Sequence, residues 1–459
     1  MASACTHDDA HNTTSPTYKK AKKRYLKTIG NRPQNQESDW TPFRAAEKKF
    51  KARFPPPDLS RVLDLAVYDD SRATELARGG WGGAIDCVEH RAIPLLSSAN
   101  ATKSVSKVAF TFPSVPGLIE QDFFAQNPID TLRLPGLVLL PGYLSHQDQR
   151  DLVRWSLRDH ARYPNETNLD THYLIPETGL WDAYLHALQD VSHPDELQPK
   201  ASSIPIETVP VEKPGPRQLI SNEAADKNNY LELSSTAKLP PPPSLTVKPA
   251  SPISLLPKLR WANIGWYYHW SSKQYDFARG KIEVSEVIKG VCQRAVGSVD
   301  WEEVYRDDQS DWGPDGPGWK DWQETYEPDA GIVNFYQTKD TLMAHVDRSE
   351  VCATSPLVSI SLGCAAIFLI GGDTRDTEPI PILLRSGDVV IMSGPGCRRA
   401  YHGVPRILEN TLPPHFDVLD EDPQDWKFYQ EYLRTTRVNI NVRQVFPKDF
   451  DPQFESEGQ

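Results

Sequence analysis

The chain has 459 residues and a formal net charge of -12 at pH 7, a bulk charge that does not advertise a nucleic-acid binder. Forty prolines and 39% hydrophobic residues, with a mean hydropathy of -0.53, are expected of a chain that folds only in part. No apolar run approaches the ~20 residues that span a bilayer, the start carries Asp8 and Asp9 but no apolar signal core, and the six cysteines form no Cys-x-x-Cys pair, so we expect no membrane association, reduced thiols and a nuclear and/or cytoplasmic protein.

In chain order, residues 1–55 read as a disordered basic tail. It holds the runs "KKAKKRYLK" (19–27) and "KKFKAR" (48–53), which suit a nuclear address or a phosphate tether as well as a solvated charge run. Residues 56–193 read as an N-terminal extension with a strand and helices that pack on the core. Its clearest part is "GLVLLPG", a short buried strand closed by Pro141-Gly142. Ser145 followed by Asp148 is a helix-start signature, and Leu152, Val153 and Leu157 recur at helical spacing. A second helix is expected over 180–191. Residues 194–257, with "KPGPRQ", "KLPPPPSL" and "KPASPISLLP", read as a disordered Pro-rich insertion.

From 258 to 447 the chain becomes strand-like, and 448–459 reads as a tail. The runs "LRWANIGWYYHW", "GIVNFYQT", "PLVSISLGCAAIFLIGG", "PILLRSGDVVIMSGPG" and "RVNINVRQVF" are short apolar segments between Gly, Pro and Asp turns. That pattern predicts a mainly β fold with flanking helices and a jelly-roll core.

Five histidines begin a His-x-Asp: His7, His146, His193, His345 and His415. Spacing alone decides nothing, but context does. His7 lies in the tail, His146 opens a helix, His193 borders the insertion, and His415 follows a double proline. Only His345-Val346-Asp347 reads as strand, where residues i and i+2 share a face. A second imidazole, from His402 in "RRAYHGVPRI", would complete two histidines and one carboxylate, the set that non-haem Fe(II) oxygenases use. Arg437, Asn439 and Arg443 in "RVNINVR" alternate with Val438, Ile440 and Val442. Such a stripe is costly to bury unless an anion lies on it, although an exposed strand face would give the same pattern.

Taken together, "NFYQTKDTLMAHVDRSE", "SGDVVIMSG…YHGVPRI", "RVNINVR" and "LPGLVLLPGYLSHQDQRDLVRW" resemble the AlkB family of Fe(II)- and 2-oxoglutarate-dependent dioxygenases. "TLMAHVDRSE" and "IFLIGG" are similar to its eukaryotic homologue-1 branch. The resemblance implies a double-stranded β-helix with His345, Asp347 and His402 as Fe(II) ligands. It places Asn334 and Tyr336 against 2-oxoglutarate, Arg437 on the distal carboxylate of that co-substrate, and Arg443 with Asn439 at its oxoacid end. It implies the use of O2, oxidation of an N-methyl group on a base of RNA, tRNA or DNA, and release of succinate, CO2 and formaldehyde. An aspartate that contacts the base in several members is replaced here by Ser349, which fits the homologue-1 branch better than simple alkylation repair.

The aromatic residues Trp261, Trp266, Tyr267, Tyr268 and Trp270 lie beside Lys258, Arg260 and Lys273 and suit base stacking or core packing. Arg398 and Arg399 are candidates for phosphate contact. The acidic stretch between His402 and Arg437 is expected to be a surface excursion. Two other readings stay open: a 2-oxoglutarate oxygenase acting on protein such as histone, and a barrel that binds without catalysis. Protein partners are not identifiable from the sequence.

Overall fold

Short aliphatic and β-branched runs broken by turn residues set the architecture. The computed structural model describes residues 40–96, 108–112, 134–189, 196–200, 224–235, 246–308, 310–313, 316–448 and 450, with isolated positions besides. The basic run at 19–27 (isolated residues apart), His7, His193, Asp195 and nearly all of the expected C-terminal tail fall outside them. No helix among the described residues is long and apolar enough to cross a membrane.

Helix α1 (Pro42–Lys51) comes first, followed by strands β1 (Arg91–Pro94), β2 (Val108–Thr111) and β3 (Leu137–Leu140). Helices α2 (His146–Arg154), α3 (Gly179–Gln189) and α4 (Tyr230–Ser235) follow. Then come β4 (Trp261–Gly265), β5 (Tyr268–His269), β6 (Gln274–Tyr275) and helix α5 (Glu286–Gly297). The remaining strands are β7 (Ala330–Gln337), β8 (Leu342–His345), β9 (Leu357–Gly363), β10 (Ala366–Ile370), β11 (Ile380–Leu384), β12 (Val389–Met392), β13 (His402–Ile407) and, after helix α6 (Trp426–Leu433), β14 (Thr436–Arg443).

These strands form an eight-stranded sheet in the order β1-β2-β3-β12-β9-β14-β7-β4 and a four-stranded sheet in the order β11-β10-β13-β8. Strands β5 and β6 make a separate hairpin. Two tight connections carry the chain from one sheet to the other. Gly363, at φ +80, ends β9; a Cβ there would lie 2.7 Å from the Thr436 carbonyl oxygen, so only glycine fits. Ser386-Gly387-Asp388 forms the second, with the Asp388 carboxylate accepting the Arg385 N–H at 2.7 Å. It joins β11 to β12, which lie in different sheets, so it is a crossing and not a hairpin. Arg385 is buried and fastens the turn to Asp64 through two N–H donors at 3.2 and 2.8 Å.

The N-terminal strand and helix follow the sequence expectation. All four residues of β3 are buried, and the Ser145 hydroxyl caps α2 by accepting the Asp148 N–H.

Three expectations of exposed or disordered chain need correction. Residues 42–51 of the expected tail form α1, capped by Thr41 with Pro42 in its first turn, and bury Phe43, Glu47 and Phe50. Those three share a face at i, i+4 and i+7, which makes a polar stretch amphipathic. Part of the expected disordered insertion is also built. Leu197 and Ala250 exchange backbone hydrogen bonds at 2.9 and 3.2 Å, and Tyr230 of α4 packs edge-on against Phe446 and Phe450. Finally, the stretch after His402 is no surface excursion. Phe416, Trp426, Tyr429 and Leu433 are buried, Tyr429 stacks on Trp181 of α3 at 4.4 Å, and the Arg150 guanidinium lies 3.9 Å from the Trp426 ring.

Beyond α2, His160 lies buried on a π-helical turn, Trp155–His160. Its Nε2–H donates to the Asn263 carbonyl at 3.0 Å, and burial pulls its pKa down to about 4. The unfolded chain therefore takes up a proton near pH 6.5 that the folded chain refuses until about pH 4. Stability is full above pH 6.5 and is lost as pH falls through that window, by about 3 kcal/mol in total. Urea titrations from pH 7.5 to 4.5 should show His160→Gln with a flatter pH dependence than the native chain; parallel curves would refute the assignment.

Candidate metal centre

The last residue of β8 and the first of β13 face each other in register: His345 opposite His402. Their ring centroids are 4.4 Å apart. Strand β8 ends at His345, so Asp347 comes from the segment just beyond the strand instead of from the strand itself. Its carboxylate lies 3.6 Å from His345 Nε2. One ligand atom from each of His345, Asp347 and His402 lies within 4.8 Å of the others, and among the described residues no second such cluster exists. His146 and Asp148 open α2, as expected. His415 stacks on His146 at 4.1 Å and contacts Gln149 instead of this cluster.

Both imidazoles are oriented by their own chain. His345 Nδ1 is 3.0 Å from the Met343 carbonyl, and His402 Nδ1 is 3.0 Å from the Ala400 carbonyl. A carbonyl only accepts, so each Nδ1 carries the proton and each Nε2 presents a lone pair. Burial and the neighbouring His345 ring pull the His402 pKa down to about 4, which keeps that ring neutral near pH 7. Burial is the largest single influence and would raise the Asp347 carboxyl, but Arg443, both histidines and Arg398 together outweigh it and hold the group well below the usual carboxylate range. Two imidazole nitrogens and one carboxylate oxygen are a donor set that suits a divalent transition metal.

Strand β14 supplies the polar stripe, and it is buried. Arg437, Asn439 and Arg443 are each 8% exposed or less and line the same cavity of about 400 Å³ as the three ligand candidates. Across the sheet Arg437 pairs with Tyr336 and Asn439 with Asn334 of β7, so both predicted β7 residues line the cavity as well. Arg437 Nη2 donates to the Ser361 hydroxyl at 3.0 Å. Its Nε and Nη1 have no hydrogen-bond partner among the described residues, and burial lowers its pKa to about 10. A buried guanidinium with free donors and no facing carboxylate is a receptor for an anion. Asn439 donates its amide to the Ser359 hydroxyl at 2.8 Å and the Ile360 carbonyl at 2.9 Å.

Arg443 also bonds neighbouring side chains. Its Nη1 donates to Asp347 at 3.1 Å and Glu350 at 2.6 Å, and its Nη2 donates to the Asn441 side chain at 2.9 Å. Three of its N–H donors are thus taken up by neighbouring side chains, while its buried Nε has no hydrogen-bond partner among the described residues. Arg398 is 1% exposed and bonds the Ser355 carbonyl, so it cannot meet phosphate at the surface. Arg399 donates to the Asp347 carbonyl at 2.8 Å and braces the same segment.

Glu350 was not legible as a site residue. It is buried, accepts from Arg443, and accepts the Tyr275 hydroxyl at 3.2 Å. It thereby joins the segment that carries Asp347 to the β5–β6 hairpin. The Ser349 hydroxyl donates to the Lys273 carbonyl at 2.9 Å and clasps the same hairpin. From that hairpin Tyr268 and Trp270 reach the cavity, and Trp270 stacks on Trp261 at 5.1 Å. The other aromatics of that run split differently: Trp266 is buried against Phe277, and Tyr267 carries the Arg279 guanidinium on its face.

Comparison with known proteins gives the family. The model of the 2OG-Fe(II) oxygenase superfamily matches residues 218–443. The chain is 31% identical over 314 residues to the DNA N(6)-methyladenine demethylase ALKBH1A of Arabidopsis thaliana, a match that spans 68% of this chain and 76% of that protein. It is 29% identical over 417 residues to the human nucleic acid dioxygenase ALKBH1, spanning 84% and 81%. Against the tRNA demethylase abh1 of Schizosaccharomyces pombe it is 34% identical over 194 residues, spanning 41% and 54%. On the breadth of these matches, the chain belongs to the AlkB family of Fe(II)- and 2-oxoglutarate-dependent dioxygenases, within its ALKBH1-like group.

Proposed function

We propose that this chain is an oxidative demethylase of N-methylated bases in nucleic acid. The observation that carries the reading is the unpaired, buried guanidinium of Arg437 in one cavity with the His345-Asp347-His402 cluster. The two sheets then form a double-stranded β-helix with this cavity between them. His345, Asp347 and His402 hold Fe(II). Arg437 takes the distal carboxylate of 2-oxoglutarate, with Tyr336 beside its guanidinium. Asn334 and Asn439 face the co-substrate from neighbouring strands. Arg443 holds the Asp347 carboxylate in place.

When bound, iron, 2-oxoglutarate and O2 together supply oxidation of the N-methyl carbon, with succinate and CO2 as co-products and formaldehyde as the leaving one-carbon unit. The protein's share is positioning and a dry cavity. Tyr268 and Trp270 on the β5–β6 hairpin provide faces on which a base can stack. A base must be unpaired or flipped to come under that hairpin, so single-stranded or looped substrates are favoured. The names of the relatives, which include a DNA N(6)-methyladenine demethylase and a tRNA demethylase, support the substrate class. The basic run at 19–27 is compatible with nuclear as well as cytoplasmic residence.

The test is a panel of oligonucleotides carrying N6-methyladenine, N1-methyladenine or methylcytosine, single- and double-stranded, with methylated histone peptides alongside. Mass spectrometry should find loss of 14 Da from at least one oligonucleotide, fastest in unpaired contexts. Turnover of the peptides alone would overturn the proposal.

A further inference from the structure

Strand β8 carries His345 and is the terminal strand of the four-stranded sheet, paired among the described residues with β13 alone. An end strand lacks a neighbour to hold its outer polar groups, and such edges need another device. Here two side chains from distant segments supply it. The backbone N–H of Ala344, one residue before His345, donates to Glu47 Oε1 at 2.6 Å. The Ala344 carbonyl accepts from Arg375 Nη2 at 3.0 Å.

Both side chains are themselves held. Glu47 lies on the inner face of α1, is buried, and takes a second bond from Arg44 at 2.9 Å through its other oxygen. Helix α1 is seated by Phe43, which is wholly buried and rests where Gly371 leaves room; a Cβ on Gly371 would come within 2.9 Å of that ring. The Phe43 N–H donates to the Arg375 carbonyl at 3.1 Å, so the two clamping segments are bonded to each other. The Arg375 guanidinium also lies 5.1 Å from the Tyr401 ring, next to His402.

We propose that Glu47 and Arg375 are positioning residues for the metal centre. By gripping the N–H and the C=O of one residue on the end strand, they fix where His345 stands relative to His402. The proposal rests on the assignment of His345 and His402 as ligands. It adds that α1, far away in sequence, tunes how tightly the metal is held. Groups that orient a ligand typically alter metal affinity by about 10- to 100-fold when removed.

The test uses the full chain, metal-stripped, and measures Mn(II) binding by calorimetry with hydrogen exchange of the peptide containing Ala344. The native chain must bind Mn(II), and His402→Ala must lose it; failure of that control would sink the ligand assignment itself. Given the control, Glu47→Ala should weaken Mn(II) binding about tenfold and speed exchange at Ala344, with β10 unchanged. Glu47→Gln keeps a carbonyl acceptor and should stay within about threefold of native. Arg375→Ala removes the opposite grip and should shift affinity in the same direction as Glu47→Ala. It decides the matter if Glu47→Ala fails to fold. A contact that only seats the helix would lower the melting temperature and leave the Mn(II) affinity alone. Native affinity in Arg375→Ala, or in a folded Glu47→Ala, would overturn the proposal.

Discussion

Asp347→Ala should abolish 2-oxoglutarate turnover while leaving a folded protein. Removing groups that merely orient a ligand already costs about 10- to 100-fold, so deleting the anionic ligand should cost more than about 100-fold. Stability should change little, for a specific reason. A buried guanidinium stripped of its partner normally destabilises by about 3–5 kcal/mol. Here Arg443 would keep its bond to Glu350 at 2.6 Å and its bond to the Asn441 side chain, so the charge stays compensated. Succinate release, Mn(II) affinity and circular dichroism on the same preparation check this. Near-native succinate release, or unfolding on substitution, would each contradict it.

Arg437→Met should move catalysis and stability in opposite directions. In the presence of co-substrate, the variant loses a buried charge-assisted pair. Truncations of that kind cost about 2–5 kcal/mol, so KM for 2-oxoglutarate should rise by about 30-fold or more. Without co-substrate, the native chain buries a guanidinium that has, among the described residues, one hydrogen bond, to Ser361, and two donor nitrogens without partners. Methionine fills similar space with no polar group to satisfy, which should stabilise the unliganded fold by about 1–3 kcal/mol. A higher unfolding midpoint combined with a higher KM is the signature. A variant with unchanged KM would show that the anion binds elsewhere, and one with a lower midpoint would show that Arg437 is already satisfied without it.

What could be read in advance was local. The alternation of Arg437, Asn439 and Arg443 with three aliphatics needs only the two-residue period of a strand, and β14 places those residues in the cavity. The Ser145 cap and the β3 run were legible for the same reason. What failed depended on partners far along the chain. Arg398 is a basic residue near a ligand histidine, and only the fold shows it turned inward to Ser355. Phe43, Glu47 and Phe50 sit in a strongly charged stretch, and composition hid a face that only docking on the small sheet reveals. Trp426, Tyr429 and Leu433 carried a helical period that the surrounding acidic residues masked. For Arg443 the strand pattern could suggest burial but not the bonds that occupy its guanidinium, because Glu350, which shares it, gives no sequence signal of its own.

The reciprocal bonds between Leu197 and Ala250 have a consequence for chain length. They staple the root of the Pro-rich segment, so its two ends meet at a point set by the framework. Lengthening a stretch whose ends are already joined costs little, about 0.6 kcal/mol for each doubling. Part of that same stretch returns to the catalytic side, where the Ala225 N–H donates to the Arg348 carbonyl. A change in its length can therefore be absorbed with the framework on either side of Leu197 and Ala250 left as it is.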